Sequence, residues 1–334
     1  ILSSDWSSDV CSSDLVDTSM KKKKIIAAEG NEISPTPAKP LKEKRLTKRE
    51  LIERALTLPF MLPSFLGVML FFILPFLVVI YYSVIDSTST ANFVGLDNFI
   101  KLFNNSAFKL ALKNTGIFSL TAVPLVVILS LALAVLLDTN IPYKSTFRTI
   151  FLSPMIVPAA SVILIWQVLF DYNGVINDIT ALFGASPVEW LKSDYGYMVV
   201  VLLFLWKNIG YNMIMFMSAL SAVPKGIIEV AMLDGCGAVR RFFMIKMRYL
   251  ASTISFVTIM SLINSFKVFR EVYLLTGNYP YDSMYTLQHF MNNTFSNFEY
   301  QKLSSAAVVL CLIMIVIIGI LLWVDNHLGK GIEE

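Results

Sequence analysis

Residues 116–137 read GIFSLTAVPLVVILSLALAVLL, an uncharged run interrupted only by Pro124 and a few hydroxyl side chains. A helix needs roughly 20 predominantly apolar residues to cross the hydrocarbon core of a bilayer, so this run reads as a membrane span. Five more runs of that kind flank it, at about Leu58–Ile85, Thr149–Phe170, Tyr197–Leu220, Ala251–Leu275 and Ser304–Val324. Pro59, Pro63 and Pro75 in the first and Pro154 and Pro158 in the third predict kinks rather than breaks, because neighbouring helices can satisfy the freed carbonyls. The expected fold class is all-α: a polytopic membrane bundle of six transmembrane helices.

Composition agrees. Of 334 residues, 56% are hydrophobic and 15% charged, where soluble domains carry about 25% charged residues. A soluble protein must cover its surface with polar groups, so soluble enzymes are excluded, along with disordered and disulfide-stapled classes. Cys11, Cys236 and Cys311 are an odd set without motif spacing, giving neither a disulfide framework nor a metal site. His289 and His327 lie too far apart in the chain to suggest a ligand pair.

The charges between the spans set an orientation. Residues 1–19 repeat a Ser-Ser-Asp core and read as a translated sequencing adapter, a non-native leader ahead of Met20. Residues 20–57 are strongly basic, from Lys21–Lys24 to Arg54, and precede the first span. The positive-inside rule makes this segment a cytoplasmic tail rather than a nucleic-acid-binding arm. Residues 171–196 then fall outside, with Asp171, Asp178, Glu189 and Asp194 against Lys192. Residues 221–250 fall inside, with Lys225, Arg240, Arg241, Lys246 and Arg248. Both ends are expected in the cytoplasm, the last at 329–334. The fifth span is the irregular one, with Lys267, Arg270 and Glu271 in its second half. Charge inside a bilayer is costly, so either the helix ends near Phe266 or these groups face a polar interior. Lys267 and Glu271 are four apart and could pair along one helix face.

The cytoplasmic loop 221–250 carries the functional signal. Pro224 can open a short amphipathic helix over Lys225–Leu233, whose first turn would favour an acid such as Glu229. Asp234-Gly235 supplies a break, and a second stretch from Ala238 leads into the fifth span. With Glu229-Val230-Ala231, Asp234-Gly235-Cys236, Phe242 or Phe243 and Ile245-Lys246-Met247-Arg248 at their spacings, the loop resembles the signature of permease subunits of binding-protein-dependent ABC importers. Val230 and Cys236 stand where alanine is usual, and Arg248 where proline is usual. Pro154, Pro158, Trp166 and Asp171–Gly174, then Trp206–Gly210, then Ser265–Phe269, Leu275–Gly277 and Pro280 are similar to the maltose and glycerol-phosphate branch of that family. The resemblance covers 58–328.

That resemblance implies a coupling helix that docks into a cleft of an ATP-hydrolysing subunit, through Glu229, Ala231, Asp234 and Gly235. It also implies two ATP-binding subunits, a second permease of a different chain, and an extracytoplasmic solute-binding protein. ATP and magnesium would belong to those partners, with no cofactor, metal or catalytic residue in this chain. No Gly-x-x-x-x-Gly-Lys-Ser/Thr phosphate loop occurs in the sequence, which agrees. A sugar cargo would need amide or hydroxyl side chains beside aromatic platforms. Trp166, Asn208, Tyr211, Asn212 and Asn264 are candidates for that pathway, with Asn208 and Asn212 on one helix face. An amino-acid or polyamine importer shares the loop signature and stands as the alternative. An ion-gradient-driven transporter would need inverted repeats or paired broken helices, which the two halves do not show.

Overall fold

A computed structural model of the chain describes residues 60–139 and 141–329. The expected leader at 1–19, the basic tail at 20–57 and the C-terminal tail at 330–334 lie outside the described residues. The chain divides into two units, Ile1–Phe76 with Pro224–Ile245, and Leu77–Val223 with Lys246–Glu334.

The helices in chain order are α1 (Phe60–Ser83), α2 (Asp97–Asn104), α3 (Ser106–Asp138), α4 (Lys144–Ile156), α5 (Ala159–Leu169) and α6 (Val175–Leu182). They continue with α7 (Tyr195–Ser221), α8 (Lys225–Leu233), α9 (Met247–Phe266), α10 (Phe269–Thr276), α11 (Leu287–Ser296) and α12 (Tyr300–Gly329). Among the described residues, five helical stretches are long and apolar enough to span a membrane, and α4 with α5 makes a sixth if that bent pair counts as one.

The third span is broken where only a kink was expected: α4 and α5 meet at 98°. Proline disfavours the helical conformation of the residue before it. Accordingly Val157 is extended (φ −75°, ψ 134°) and Pro158 opens the second helix. Pro75 is handled differently. The turn before it widens into a π-helix at Met69–Ile73, with the Leu74 N–H reaching the Met69 carbonyl. Such a bulge absorbs the missing donor without ending the helix.

The second span is longer than its apolar run. Asn105 caps α3, its side chain accepting from the Phe108 N–H at 3.0 Å, an N-cap to N3 bond. The extra turns carry Lys109 and Lys113, yet Phe108, Ala111 and Thr115 are buried at helical spacing. Phe108 and Ala111 join Leu102, Leu287, Phe290, Ala306 and Val309 in a cluster uniting α2, α3, α11 and α12, and Thr115 Oγ1 accepts from the Leu287 N–H at 2.9 Å. His289, fully buried on α11, accepts from the Thr286 N–H through Nδ1 at 3.4 Å. Burial lowers its pKa to about 4.

The larger core of the second unit lies between α3 and α7, with α9 packed on both and α4 against α7. Gly210 permits the α4–α7 crossing. A β-carbon there would fall on the Phe151 carbonyl, so only hydrogen fits between the two backbones.

Candidate functional site

A charged pair interrupts the apolar spans of the second unit. Lys207 lies near the middle of the 27-residue α7, and its Nζ donates to Glu271 Oε1 on α10. The Glu271 side chain is 9% exposed and that of Lys207 41%. Sequence spacing suggested Lys267 as the partner of Glu271. Instead the helical ladder changes between the two, and Lys207 takes that place. The Lys267 N–H bonds the Asn264 carbonyl and the Glu271 N–H that of Val268, both i to i−3. The tighter spacing rotates Glu271 relative to a straight helix. Both sequence expectations for this region hold together: α9 ends at Phe266, and the charged groups beyond it face a polar cavity.

That cavity has a volume of about 250 Å³, and Lys207, Asn208, Asn264, Lys267, Arg270 and Glu271 supply its polar lining. Asn208 Nδ2 donates to the Phe204 carbonyl at 2.8 Å, and its Oδ1 accepts from Asn264 Nδ2 at 3.2 Å. The remaining pathway candidates lie elsewhere. Asn212 is buried and donates to Ser261 Oγ at 2.9 Å, fastening α7 to α9. Trp166 stacks on Phe170 at 5.3 Å and lies 6.2 Å from Trp206. Tyr211 is half-buried one turn beyond Lys207 and does not line the cavity. Lys207 was the site residue missed in the sequence. Its signal was plain: an uncompensated charge halfway along an apolar run.

Two more polar fasteners hold the surroundings. Ser119 Oγ and Ser265 Oγ share a hydrogen bond at 2.8 Å between α3 and α9. Gln167 Nε2 donates to the Leu274 and Leu275 carbonyls at 3.1 and 3.0 Å, satisfying acceptors near the end of α10.

In the first unit, α8 is a nine-residue helix with Pro224 at its N-cap. Glu229 is its fifth residue, so the expectation of an acid in the first turn is corrected. At that distance the carboxylate meets few of the orphan N–H groups that would favour it. The C-terminus closes as a Schellman motif. The Cys236 N–H bonds the Ala231 carbonyl at 2.9 Å, the Gly235 N–H bonds that of Met232 at 3.1 Å, and Gly235 has φ +74°. Ala231 and Cys236 are buried, Glu229 is exposed, and Val230, Met232 and Leu233 also stand exposed. Beyond Gly237 a short helix, Ala238–Arg241, and a π-helical turn, Phe242–Lys246, run into α9.

Long apolar helices joined by buried polar bonds, with a charged pair at mid-span, define a polytopic membrane protein. The model of the family described as binding-protein-dependent transport system inner membrane component matches residues 127–334, and the chain belongs to that family. Among curated relatives, the sn-glycerol-3-phosphate transport system permease protein UgpA of Pectobacterium atrosepticum is 30% identical over 282 residues. That match covers 82% of this chain and 95% of the relative. The lactose transport system permease protein LacF of Rhizobium radiobacter is 28% identical, over 71% of this chain and 81% of its own length. A bacterial ABC transporter importing the acidic polysaccharide alginate contains a chain of the same fold. Its TM-score is 0.73 at 18% identity, covering 86% of this chain and 99% of that one. This chain is thus a multi-pass permease of a binding-protein-dependent transport system.

Proposed function

We propose that the chain is one of two membrane subunits of an ATP-driven importer, moving a sugar or oligosaccharide delivered by an extracytoplasmic binding protein. It performs no chemistry itself. Two ATP-binding subunits, holding ATP and magnesium, would drive it, and a second permease of different sequence would complete the pathway. Both termini would lie in the cytoplasm of a plasma or inner membrane, on the side of the basic loop 221–250.

One observation carries this reading: a short helix stopped by a Schellman turn, with exposed apolar side chains, in the loop between α7 and the fifth span. Exposed apolar groups on a polar-side loop mark a protein contact. A turn with both end bonds made is rigid enough to transmit force. Glu229, Ala231, Asp234 and Gly235 are assigned to that coupling role, and Asn208 and Asn264 to cargo contact. Asn212, Tyr211 and Trp166, which do not line that cavity, would support the surrounding helices. The relatives named for glycerol phosphate and lactose support a polyhydroxylated cargo.

The test is a pair of substitutions at Gly235. A β-carbon there meets nothing within 4 Å, so the strain of a side chain comes from the positive φ alone. Asparagine tolerates that region better than β-branched residues do. Gly235→Val should therefore lose ATP-driven uptake in the assembled complex while Gly235→Asn keeps most of it. Equal, normal uptake by both variants would remove Gly235 from the coupling role.

A further inference from the structure

The cavity at the α9–α10 break is not neutral. Lys207, Lys267 and Arg270 line it against the single carboxylate of Glu271, leaving two positive charges uncompensated. Among the described residues, the only ion pair made by any of the four is that between Lys207 and Glu271. Lys267 and Arg270 are exposed side chains flanking a backbone turn. The Lys207–Glu271 pair is neutral by itself and does not require two further cations at the same cavity. An uncharged sugar could accept hydrogen bonds from these groups but would leave their charge unbalanced. Hydroxyl groups are recognised by amides such as Asn208 and Asn264, which are already present.

We propose that this cavity selects cargo bearing an anionic group, a phosphate or a carboxylate on a polyhydroxylated molecule. The inference rests on the sugar-importer reading and narrows it. Lys267 and Arg270 attract the anion. Lys207, held by Glu271 when the cavity is empty, exchanges that carboxylate for the charge on the cargo. Arginine offers a fork that matches either oxyanion, and lysine a point charge. The volume of about 250 Å³ falls below the roughly 300–1,000 Å³ of sites that enclose drug-sized ligands. It therefore receives one charged group or one sugar ring at a time rather than a long chain.

The experiment uses the complete importer, with its ATPase subunits, second permease and binding protein, in proteoliposomes. Uptake is measured for matched pairs: glycerol 3-phosphate against glycerol, and glucuronate against glucose, so that the arms separate phosphate from carboxylate. The Lys267→Gln/Arg270→Gln double variant removes surplus charge at exposed positions. The expected result is uptake of an anionic member, reduced by about tenfold in the double variant, with ATPase stimulation by the binding protein retained. Lys267→Arg/Arg270→Lys, which keeps the charge, should recover most of the uptake, and Lys101→Gln, on a surface pair with Asp97, should match the parent. Uptake of the neutral members alone, or anionic uptake indifferent to the double variant, overturns the anion inference and leaves the sugar importer standing. Uptake of an amino acid or polyamine and of no saccharide overturns both.

Discussion

Helices α7 and α12 present spans of equal length, 27 residues each over Tyr195–Ser221 and Tyr300–Asn326, yet they are packed in opposite ways. Half of the most apolar stretch of α7 is buried in the chain, against 6% of that of α12. The buried helix is the one that carries Lys207, Asn208 and Asn212, while residues 303–324 of α12 carry no charge. In water the more apolar helix would be the one inside. In a bilayer the lipid is as apolar as leucine, so helices associate through close packing and polar bonds. In this pair of helices polarity within the span accompanies packing, and pure apolarity accompanies exposure.

Two glycines give the sharpest form of that contrast. Gly210→Leu on α7 drives a side chain into the Phe151 carbonyl of α4, where backbone cannot yield. It should cost about 3 kcal/mol or more, read as a large fall in the melting temperature of the detergent-solubilised protein. On α12 a β-carbon at Gly319 meets nothing within 4 Å. Gly319→Leu should leave stability within about 0.5 kcal/mol. Similar melting temperatures for the two variants would mean that the two helices are not packed differently.

The charged pair breaks the comparison along a second axis. Lys207→Met leaves Glu271, almost wholly buried, without its cation. Stranding one member of a fully buried pair costs about 3–5 kcal/mol. Since the Lys207 side chain is 41% exposed, about 2 kcal/mol is expected here. Lys207→Met/Glu271→Met should recover most of that loss of stability, because no unpaired charge remains. A double variant as unstable as the single one would show that packing, rather than charge, dominates at this position.

The N-terminal end of α12 is the exception to its exposure, since Ser304, Ser305 and Ala306 are buried beside α11. His289 makes that region sensitive to acid. Its folded pKa of about 4 lies below the ordinary 6.5, so between those values the unfolded chain binds more protons than the folded one. Stability then rises with pH through this window, and it is complete above about 6.5. Lowering the pH from 7 to 5 should cost about 2 kcal/mol through this residue. His289→Gln, which keeps an acceptor for the Thr286 N–H, should flatten the difference between melting curves at the two pH values. An unchanged pH response in the variant would place the acid sensitivity elsewhere.

The sequence disclosed what depends on local apolarity and missed what depends on backbone phase. Residues 116–137 and 197–220 announce spans because their turns are apolar, with Lys207-Asn208 the exception in the second, and α3 and α7 contain both stretches. The ten extra residues at the start of α3 escaped because Lys109 and Lys113 mask an apolar stripe of Phe108 and Ala111 that only the second core cluster makes visible. The 98° break at Val157 is written in Pro158, but a proline alone does not say whether neighbouring helices will repair it. In the candidate site, Asn208 and Asn264 were legible as amides in apolar runs. The partner of Glu271 was not, because the i to i−3 bonds at 267–271 rotate it away from Lys267. Gly235 was legible as a break, and its role as a Schellman residue follows from two backbone bonds that no side chain specifies.

Asn212 supplies the smallest expected effect and separates a fastening role from a cargo-binding one. Its Nδ2 donates to Ser261 Oγ between α7 and α9 in a buried setting. Asn212→Leu leaves that hydroxyl without its donor. Interhelical hydrogen bonds in membranes contribute about 0.6 kcal/mol on average and at most about 1.7, so a loss of about 1 kcal/mol is expected in the melting transition. Asn212→Leu/Ser261→Ala removes both polar groups and should lie closer to the parent than the sum of the singles. The KM for uptake by the assembled complex should be unchanged in Asn212→Leu, since the side chain does not line the cavity of Lys207. A rise in KM without a change in melting would put Asn212 on the cargo route instead. On α12, Ile315 near the middle of the span is 61% exposed, so Ile315→Asn disturbs little of the packing within the chain. A polar group there faces lipid or a partner chain. Its effect should therefore be absent from the melting of the isolated chain in detergent and present in the yield of the assembled complex, the reverse of what Asn212→Leu is expected to show.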